Sequence, residues 1–491
     1  MKSYLLATVY FLSLFSLQAQ TEVVSGEQVH LDSLIRMAIR QSSAALQAET
    51  LKENKYWRWR TFKSDFNPQL ALEGVIPEFN RSISPIIQDD GNVAFQEISN
   101  SNAYANLSLS QAVGLTGGTI FVNSQLQRFD DLSNHSHMYN GNPGVIGLRQ
   151  PLFTYNGMLW SKRIEPLLFE ESKKEFVEDM EEIAFTTAQY FFELLTEQEN
   201  LAIALKNQAN NDTIYKISEK KYELGKISKG ELLQLRLAVL NSQKAAAQAK
   251  LAFENAKQLL NVYVGIDLIS PRLIIPEDIP QFYLDKELAL VQAKKNRQDA
   301  LSFERLALEA KRDVAKAKGE NGINANLVAT LGFSNMAPSI SKIYESPNDQ
   351  QTVRLAFNIP ILDWGRSTSR LKTAQANEKL VNYVIAQEIK NFEQEIYMLV
   401  NQFETLRSQL KITAEADQIA EERYTIYKNR YLIGELQLTD LNIAQQEKDQ
   451  AKRDFIMALR AFWEAHYSLR LLTLYDFEKN ETIEYESINT L

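Results

Sequence analysis

The 491-residue chain contains no cysteine. A disulfide framework, a thiolate metal site and a lipid-bearing N-terminal cysteine are therefore excluded, and packing alone must hold the fold. Past the first residues the chain also lacks any apolar run near the roughly 20 residues that a helix needs to cross a bilayer. Its 12 prolines and 18 glycines are scattered. No Pro/Gly/Ser-rich linker or abrupt change of composition divides it, so one elongated unit is expected in place of the two or three domains its length would suggest. Positive charge is short as well, with 53 Lys and Arg against 62 Asp and Glu for a net charge of −9. The basic residues are interspersed with acidic ones, which argues against a nucleic-acid partner.

The first residues carry a compartment signal. Lys2 precedes an apolar stretch from Leu5 to Leu17 that ends at a small-residue site around Ala19. This reads as a cleaved secretory signal peptide over 1–19, with the mature protein starting near Gln20.

What the chain has in place of linkers is a repeat. Two strand-to-helix junctions, VIGLRQPLFTYNGM around Pro151 and LAFNIPILDWGRS around Pro360, stand 209 residues apart. Two glycine breaks, YELGKISKGELLQLR at Gly225 and YLIGELQLTDLNIAQ at Gly434, have the same offset. Two separate landmarks at one spacing indicate an internal duplication. Between them each half bears a stripe in alternating steps of four and three: Phe176, Met180, Ile183, Thr187, Tyr190 and Leu194, then Ile385, Ile389, Phe392, Ile396, Leu399 and Phe403. Such steps predict coiled-coil packing of long helices. A helix from about Met158 to Leu224, interrupted only by Pro166 in its early turns, would measure roughly 100 Å at about 1.5 Å per residue. It would stop at Gly225, and its partner at Gly434, with a returning helix starting near Gly230 and Leu438, so each half holds a long helical hairpin. Two further helices, about Leu31 to Lys63 and about Leu284 to Lys318, align at an offset of 255, which exceeds 209 by 46 residues and places extra chain among the strands of the first half.

Those strands alternate. Val353, Leu355, Phe357 and Ile359 interleave with Thr352, Arg354, Ala356 and Asn358; Leu70, Leu72 and Ile76 interleave with Gln69 and Glu73. Segments near ten residues with this dyad fit a transmembrane barrel, lipid outside and water inside. A soluble sandwich with one wet face is the alternative reading of the strands, and the export signal and the long coiled hairpins count against it. Two strands per half give four per chain, too few to close around a lumen, so a barrel demands several copies.

With these landmarks in place, the chain resembles the TolC-like outer-membrane efflux proteins over essentially its whole mature length. The Q-P-L-F and I-P-I-L-D-W-G-R junctions and the Y-x-x-G tips, each occurring twice in register, carry the resemblance. It implies a mixed fold: long coiled-coil helical hairpins forming an α-barrel, joined to a trimeric outer-membrane β-barrel. Its divisions would be the first repeat at 20–264, a connector at 265–283, the second repeat at 284–475 and a tail at 476–491. The resemblance further implies a homotrimer in outer-membrane lipid with a large periplasmic portion. A periplasmic adaptor and an inner-membrane pump of RND or ABC type would be its partners, and no cofactor, metal or catalytic role is implied. The 46 extra residues, including YANLSLSQAVGLTGGTIFVNSQLQRF, depart from the family's plan. They read as an added hairpin whose place, in the barrel, in the periplasm or in an external loop, is left open. A periplasmic coiled-coil scaffold is the competing reading of the whole.

The resemblance assigns adaptor contact to the tips, here Gly225, Lys226 and Ile227 and then Gly434, Glu435 and Leu436. It assigns the tunnel entrance to Tyr222, Glu231, Tyr431 and Asp440. Each has a structural alternative. The glycines suit a helix C-cap, and an acid six residues past each glycine suits the first turn of a helix. The basic residue and second acid that the family archetype carries near the second tip are replaced by Leu436 and Ile443, so its gate network does not transfer. His135 and His137 lack further ligands for a metal. The aromatic run Tyr56 to Arg60 suits an interfacial anchor or helix packing alike.

Overall fold

A computed structural model describes residues 23–24, 28–89 and 91–486; the expected signal peptide lies outside them. In chain order, two-residue strands β1 (Val23–Val24) and β2 (Gln28–Val29) precede helices α1 (Leu31–Gln41) and α2 (Ser43–Ser64). Four strands follow: β3 (Gln69–Ile87), β4 (Val93–Val113), β5 (Gly118–Asp131) and β6 (Ser136–Leu152). Then come α3 (Gly157–Glu223), α4 (Lys229–Val264) and the short β7 (Asp267–Leu268) and β8 (Arg272–Leu273). The order resumes with α5 (Lys286–Asn296), α6 (Asp299–Glu320), β9 (Asn324–Ala337), α7 (Ile340–Glu345) and β10 (Asn348–Asn358). It closes with α8 (Arg366–Ile433), α9 (Leu438–Thr473), β11 (Tyr475–Asp476) and β12 (Glu481–Thr482). The long helices number 67 and 68 residues and the returning ones 36 each, and Pro166 is accommodated inside α3.

Both upstream helices are broken where one continuous helix was expected. Ser42 adopts an extended backbone (ψ 150°), and its Oγ accepts a hydrogen bond from the Ala45 N–H at 3.1 Å. A serine that caps a new helix in this way ends the preceding one. The second break, at residues 297–298, falls 255 residues later, at the offset of the upstream helices.

Chain contacts divide the protein into two units. One takes residues 50–176 and 294–395 and contains a six-stranded antiparallel sheet in the order β10-β9-β6-β5-β4-β3. The expectation of four strands per chain is thereby corrected to six. The extra hairpin, β4 with β5, is inserted into the sheet between β3 and β6, because its alternation matches theirs and its backbone groups find ladder partners on both sides. Leu70, Leu109, Val122, Ile146 and Leu331 stand opposite one another in a row across five strands, and all five are exposed. On the other face Ser108 Oγ donates to Asn123 Oδ1 at 2.7 Å and Gln127 Nε2 to Asn102 Oδ1 at 2.8 Å. In the same unit Trp59 stacks on Phe169 (5.2 Å, 6°) and Phe62 (5.3 Å), so part of the Tyr56 to Arg60 run packs between helices while Trp57 stays exposed. No described helix is long and apolar enough to cross a membrane.

The other unit, residues 1–49, 177–293 and 396–491, is helical. Phe191, Phe192, Leu194, Leu260, Phe403 and Phe462 are fully buried there. Glu181, at 0% exposure, accepts two hydrogen bonds from Arg470, Nη2 to Oε1 at 2.8 Å and Nε to Oε2 at 3.0 Å. Arg470 Nη1 also donates to Asp476 Oδ2 at 2.9 Å and the Tyr485 hydroxyl donates to Glu181 at 2.5 Å. A bidentate guanidinium satisfies the lone pairs that burial strips of water, and here it fastens the chain after α9 onto α3.

Candidate functional site at the hairpin tips

The two hairpin tips are built alike. α3 ends with Gly225 at φ +70° and α8 with Gly434 at φ +86°, conformations that glycine adopts without a Cβ penalty. The Lys226 N–H donates to the Lys221 carbonyl at 2.9 Å and Gly225 N–H to the Tyr222 carbonyl at 2.8 Å; Glu435 to Arg430 at 3.0 Å and Gly434 to Tyr431 at 3.1 Å repeat the pattern. These paired bonds satisfy the last helical carbonyls in a Schellman cap. A Cβ at either glycine would meet no atom within 4 Å, so both turns face open space.

The next helix starts differently in the two halves. Ser228 caps α4 by accepting the Glu231 N–H at 3.1 Å. Gln437 precedes α9 and its side chain makes no cap bond. Glu231 and Asp440 both occupy the third position of their helices, where the macrodipole favours a carboxylate. Both are half-buried.

The predicted residues separate in space. Gly225, Lys226, Gly434 and Glu435 are exposed, and Glu435 lies 3.6 Å from Arg430 Nε. Ile227 and Leu436 are half-buried; Leu436 packs against a core cluster of Ile214, Leu235, Tyr424, Tyr431, Leu438, Leu441 and Ala444. The two tyrosines diverge: Tyr222 is 40% exposed and Tyr431 only 6%. Tyr431 is thus a packing residue within its own chain, and burial pushes its phenol up.

Beneath the tips lies a polar network that no sequence motif marks. Asn207 Nδ2 donates to Asp449, Asn210 Nδ2 to the Tyr424 hydroxyl at 3.0 Å, and Lys428 Nζ to Asn210 Oδ1 at 2.9 Å. The buried Lys448 lies 3.0 Å from Asp449 and 4.6 Å from the Tyr424 ring centroid. Burial, with the charges of Asp449 and Glu421, drives the Tyr424 phenol up to about 12. Burial works against ionisation of Glu421, but the Lys206 ammonium 2.8 Å away overrides it and lowers that carboxyl. The network ties α3 to α8 and α9 with neutral tyrosine and paired charges.

A second feature is apolar and exposed. Ile412, Ile419, Ile426 and Ile433 recur every seven residues along α8, and Leu233, Leu237 and Leu240 form a stripe on α4; all are exposed. Isoleucines at this spacing have the pattern along which helices pack in coiled coils. The seven-residue spacing was readable in the sequence beyond the stripe that ends at Phe403.

Similarity to known proteins agrees with this construction. The sequence pattern of the outer membrane efflux protein family matches residues 97–265 and 289–473. No curated protein matches the chain in sequence. Among solved structures, the Campylobacter jejuni CmeC outer membrane channel superposes with a TM-score of 0.66 at 17% identity, over 93% of this chain and 87% of that one. CusC gives 0.64 at 15% identity over 90% and 91%, and the open-state Neisseria gonorrhoeae MtrE outer membrane channel 0.58 at 15% over 90% and 88%. At such identities the likeness is one of fold, that of the TolC-like channels. The family's sequence pattern covers most of both halves, including both hairpins and their tips, and the chain belongs to the outer membrane efflux protein family.

Proposed function

We propose that this protein is a passive exit duct in the outer membrane, assembled from three copies and fed by an inner-membrane pump of RND or ABC type through a periplasmic adaptor. The sheets of the copies form a lipid-embedded barrel and their helical hairpins a periplasmic tunnel. The observation that carries this reading is the two-faced sheet, with an apolar row exposed across five strands and a hydrogen-bonded polar face opposite. An apolar face of that extent is stable only against lipid or another protein. The exposed heptad on α8 supports lateral packing of copies.

The tips meet the adaptor through Gly225, Lys226, Ile227, Gly434, Glu435 and Leu436, with the glycine turns open to a partner. Tyr222, Glu231, Tyr431 and Asp440 surround the tunnel entrance. Asp440 is the strongest candidate for a threefold ring of carboxylates, since Glu231 is accounted for by its capped helix start. Tyr431 acts there by holding the hairpin together.

The deciding experiment is detergent extraction of separated membranes followed by negative-stain imaging. Threefold elongated particles from the outer-membrane fraction are expected; a soluble periplasmic monomer would favour the scaffold reading. For the entrance, Asp440→Ala is expected to change single-channel conductance and cation block in planar bilayers. No change would remove Asp440 from the entrance.

A further inference from the structure

Six strands in one chain, with β3 and β10 each paired on one side only among the described residues, raise the question of what covers those edges. In lipid an unpaired backbone group has no water to bond, so the edges must pair. The strand count is even and every neighbour is antiparallel, so β3 and β10 run in opposite directions. Head-to-tail joining of copies therefore continues the meander without a parallel junction.

The register of that junction can be read from the chain itself. β9 begins at Asn324, 255 residues after β3 begins at Gln69, and β6 and β10 are related by the offset of 209 between Pro151 and Pro360. The β6–β9 pair inside one chain is then the counterpart of β10 against β3 of the next copy. Ile146 pairs with Leu331 and Leu148 with Ala329; the equivalent pairs are Leu355 with Ile76 and Phe357 with Gly74. In this register Leu355 meets Ile76, Phe357 covers Gly74 and Asn358 meets Glu73 on the polar face, as far as the irregularity that β3 carries between Val75 and Glu78. Ile76 is 92% exposed and Leu355 58% in the single chain, both free to be covered.

The inserted hairpin sits in the sheet between these edges. Its apolar residues Leu107, Leu109, Ile120 and Val122 are exposed on the same face as Leu70 and Ile146, and its polar residues Asn106, Ser108, Asn123 and Gln125 pair in one another's register on the other.

We propose that three copies close an 18-stranded barrel, with the β4–β5 hairpin as part of its wall and with seams that set Leu355 of β10 opposite Ile76 of the next copy. The proposal rests on the reading of the chain as a trimeric outer-membrane duct. A wall of 18 strands has about half as much circumference again as one of 12, since diameter grows roughly linearly with strand number. The inserted hairpin thus fits the barrel to bulkier solutes than four strands per copy would allow.

Two measurements test it. Cryo-electron microscopy of the protein in lipid nanodiscs should show 18 strands with residues 93–131 in the wall. Because the natural chain has no cysteine, the double variant Ile76→Cys/Leu355→Cys should oxidise to covalently linked trimers on a non-reducing gel. The out-of-register pair Leu70→Cys/Leu355→Cys should stay monomeric, six residues being about 20 Å along a strand. A 12-stranded wall overturns the proposal, whether from two copies or from a trimer with the hairpin outside, and so do cross-links from the second pair only. A trimeric outer-membrane particle with 12 strands leaves the duct standing and removes only this inference. A monomer removes both.

Discussion

The sheet unit and the helical unit of this chain place their large apolar side chains in opposite ways. In the helical unit Phe191, Phe192, Phe403 and Phe462 are fully buried, whereas in the sheet Leu72, Ile76, Val353 and Phe357 are each at least 70% exposed. Polar groups invert too: Glu181, Lys448 and Asp449 are buried and paired in the helical unit, while the sheet gathers Asn, Ser and Gln on one face. On the proposed reading one alphabet serves two solvents: where water surrounds the fold, apolar residues turn inward, and where lipid would surround it, they turn outward and the polar face lines water.

The largest break in this comparison should come from the buried ion pair. Arg470→Ala leaves Glu181 and Asp476 without their shared partner and is expected to cost about 3–5 kcal/mol, measurable by denaturant unfolding of the extracted protein. Next is the apolar sheet face. Leu72→Arg should destabilise by about 2–4 kcal/mol if that face meets lipid near the bilayer midplane, and abolish heat-modifiable migration on gels. A neutral outcome would mean the face is wet. The smallest effect sharpens the helical side. Burial, helped by the Arg470 charge and opposed by Asp476, lowers His466 to about 3. The unfolded histidine titrates near 6.5. As pH falls from 6.5 toward 3, the unfolded chain takes up a proton that the folded one refuses, so stability is lost at about 1.4 kcal/mol per pH unit. His466→Leu should flatten that slope in urea unfolding series at pH 7, 6 and 5.

Much of this was legible in the residues. The offsets of 209 and 255 located both junctions, both tips and the extra chain, because turns of one kind need the same punctuation: proline where a strand hands over to a helix, glycine where a helix needs φ above zero. The tips were found to within a residue, since Gly225 and Gly434 supply the positive φ at which each long helix ends. The breaks at Ser42 and residues 297–298 were not foreseen, because apolar periodicity continues through them. Nor was the network around Tyr424, whose partners come from three helices and lie up to 242 residues apart in sequence.

By itself the sequence determined the two long helical hairpins with their tips and the two faces of each strand, which follow from local periods of 3.6 and 2 residues. Only the tertiary structure decided that the extra hairpin joins the sheet between β3 and β6, that Tyr431 is buried while Tyr222 is exposed, and that Arg470 reaches Glu181. Those outcomes depend on which segments meet across hundreds of residues, and a periodicity says which face of an element will be buried but not what will bury it.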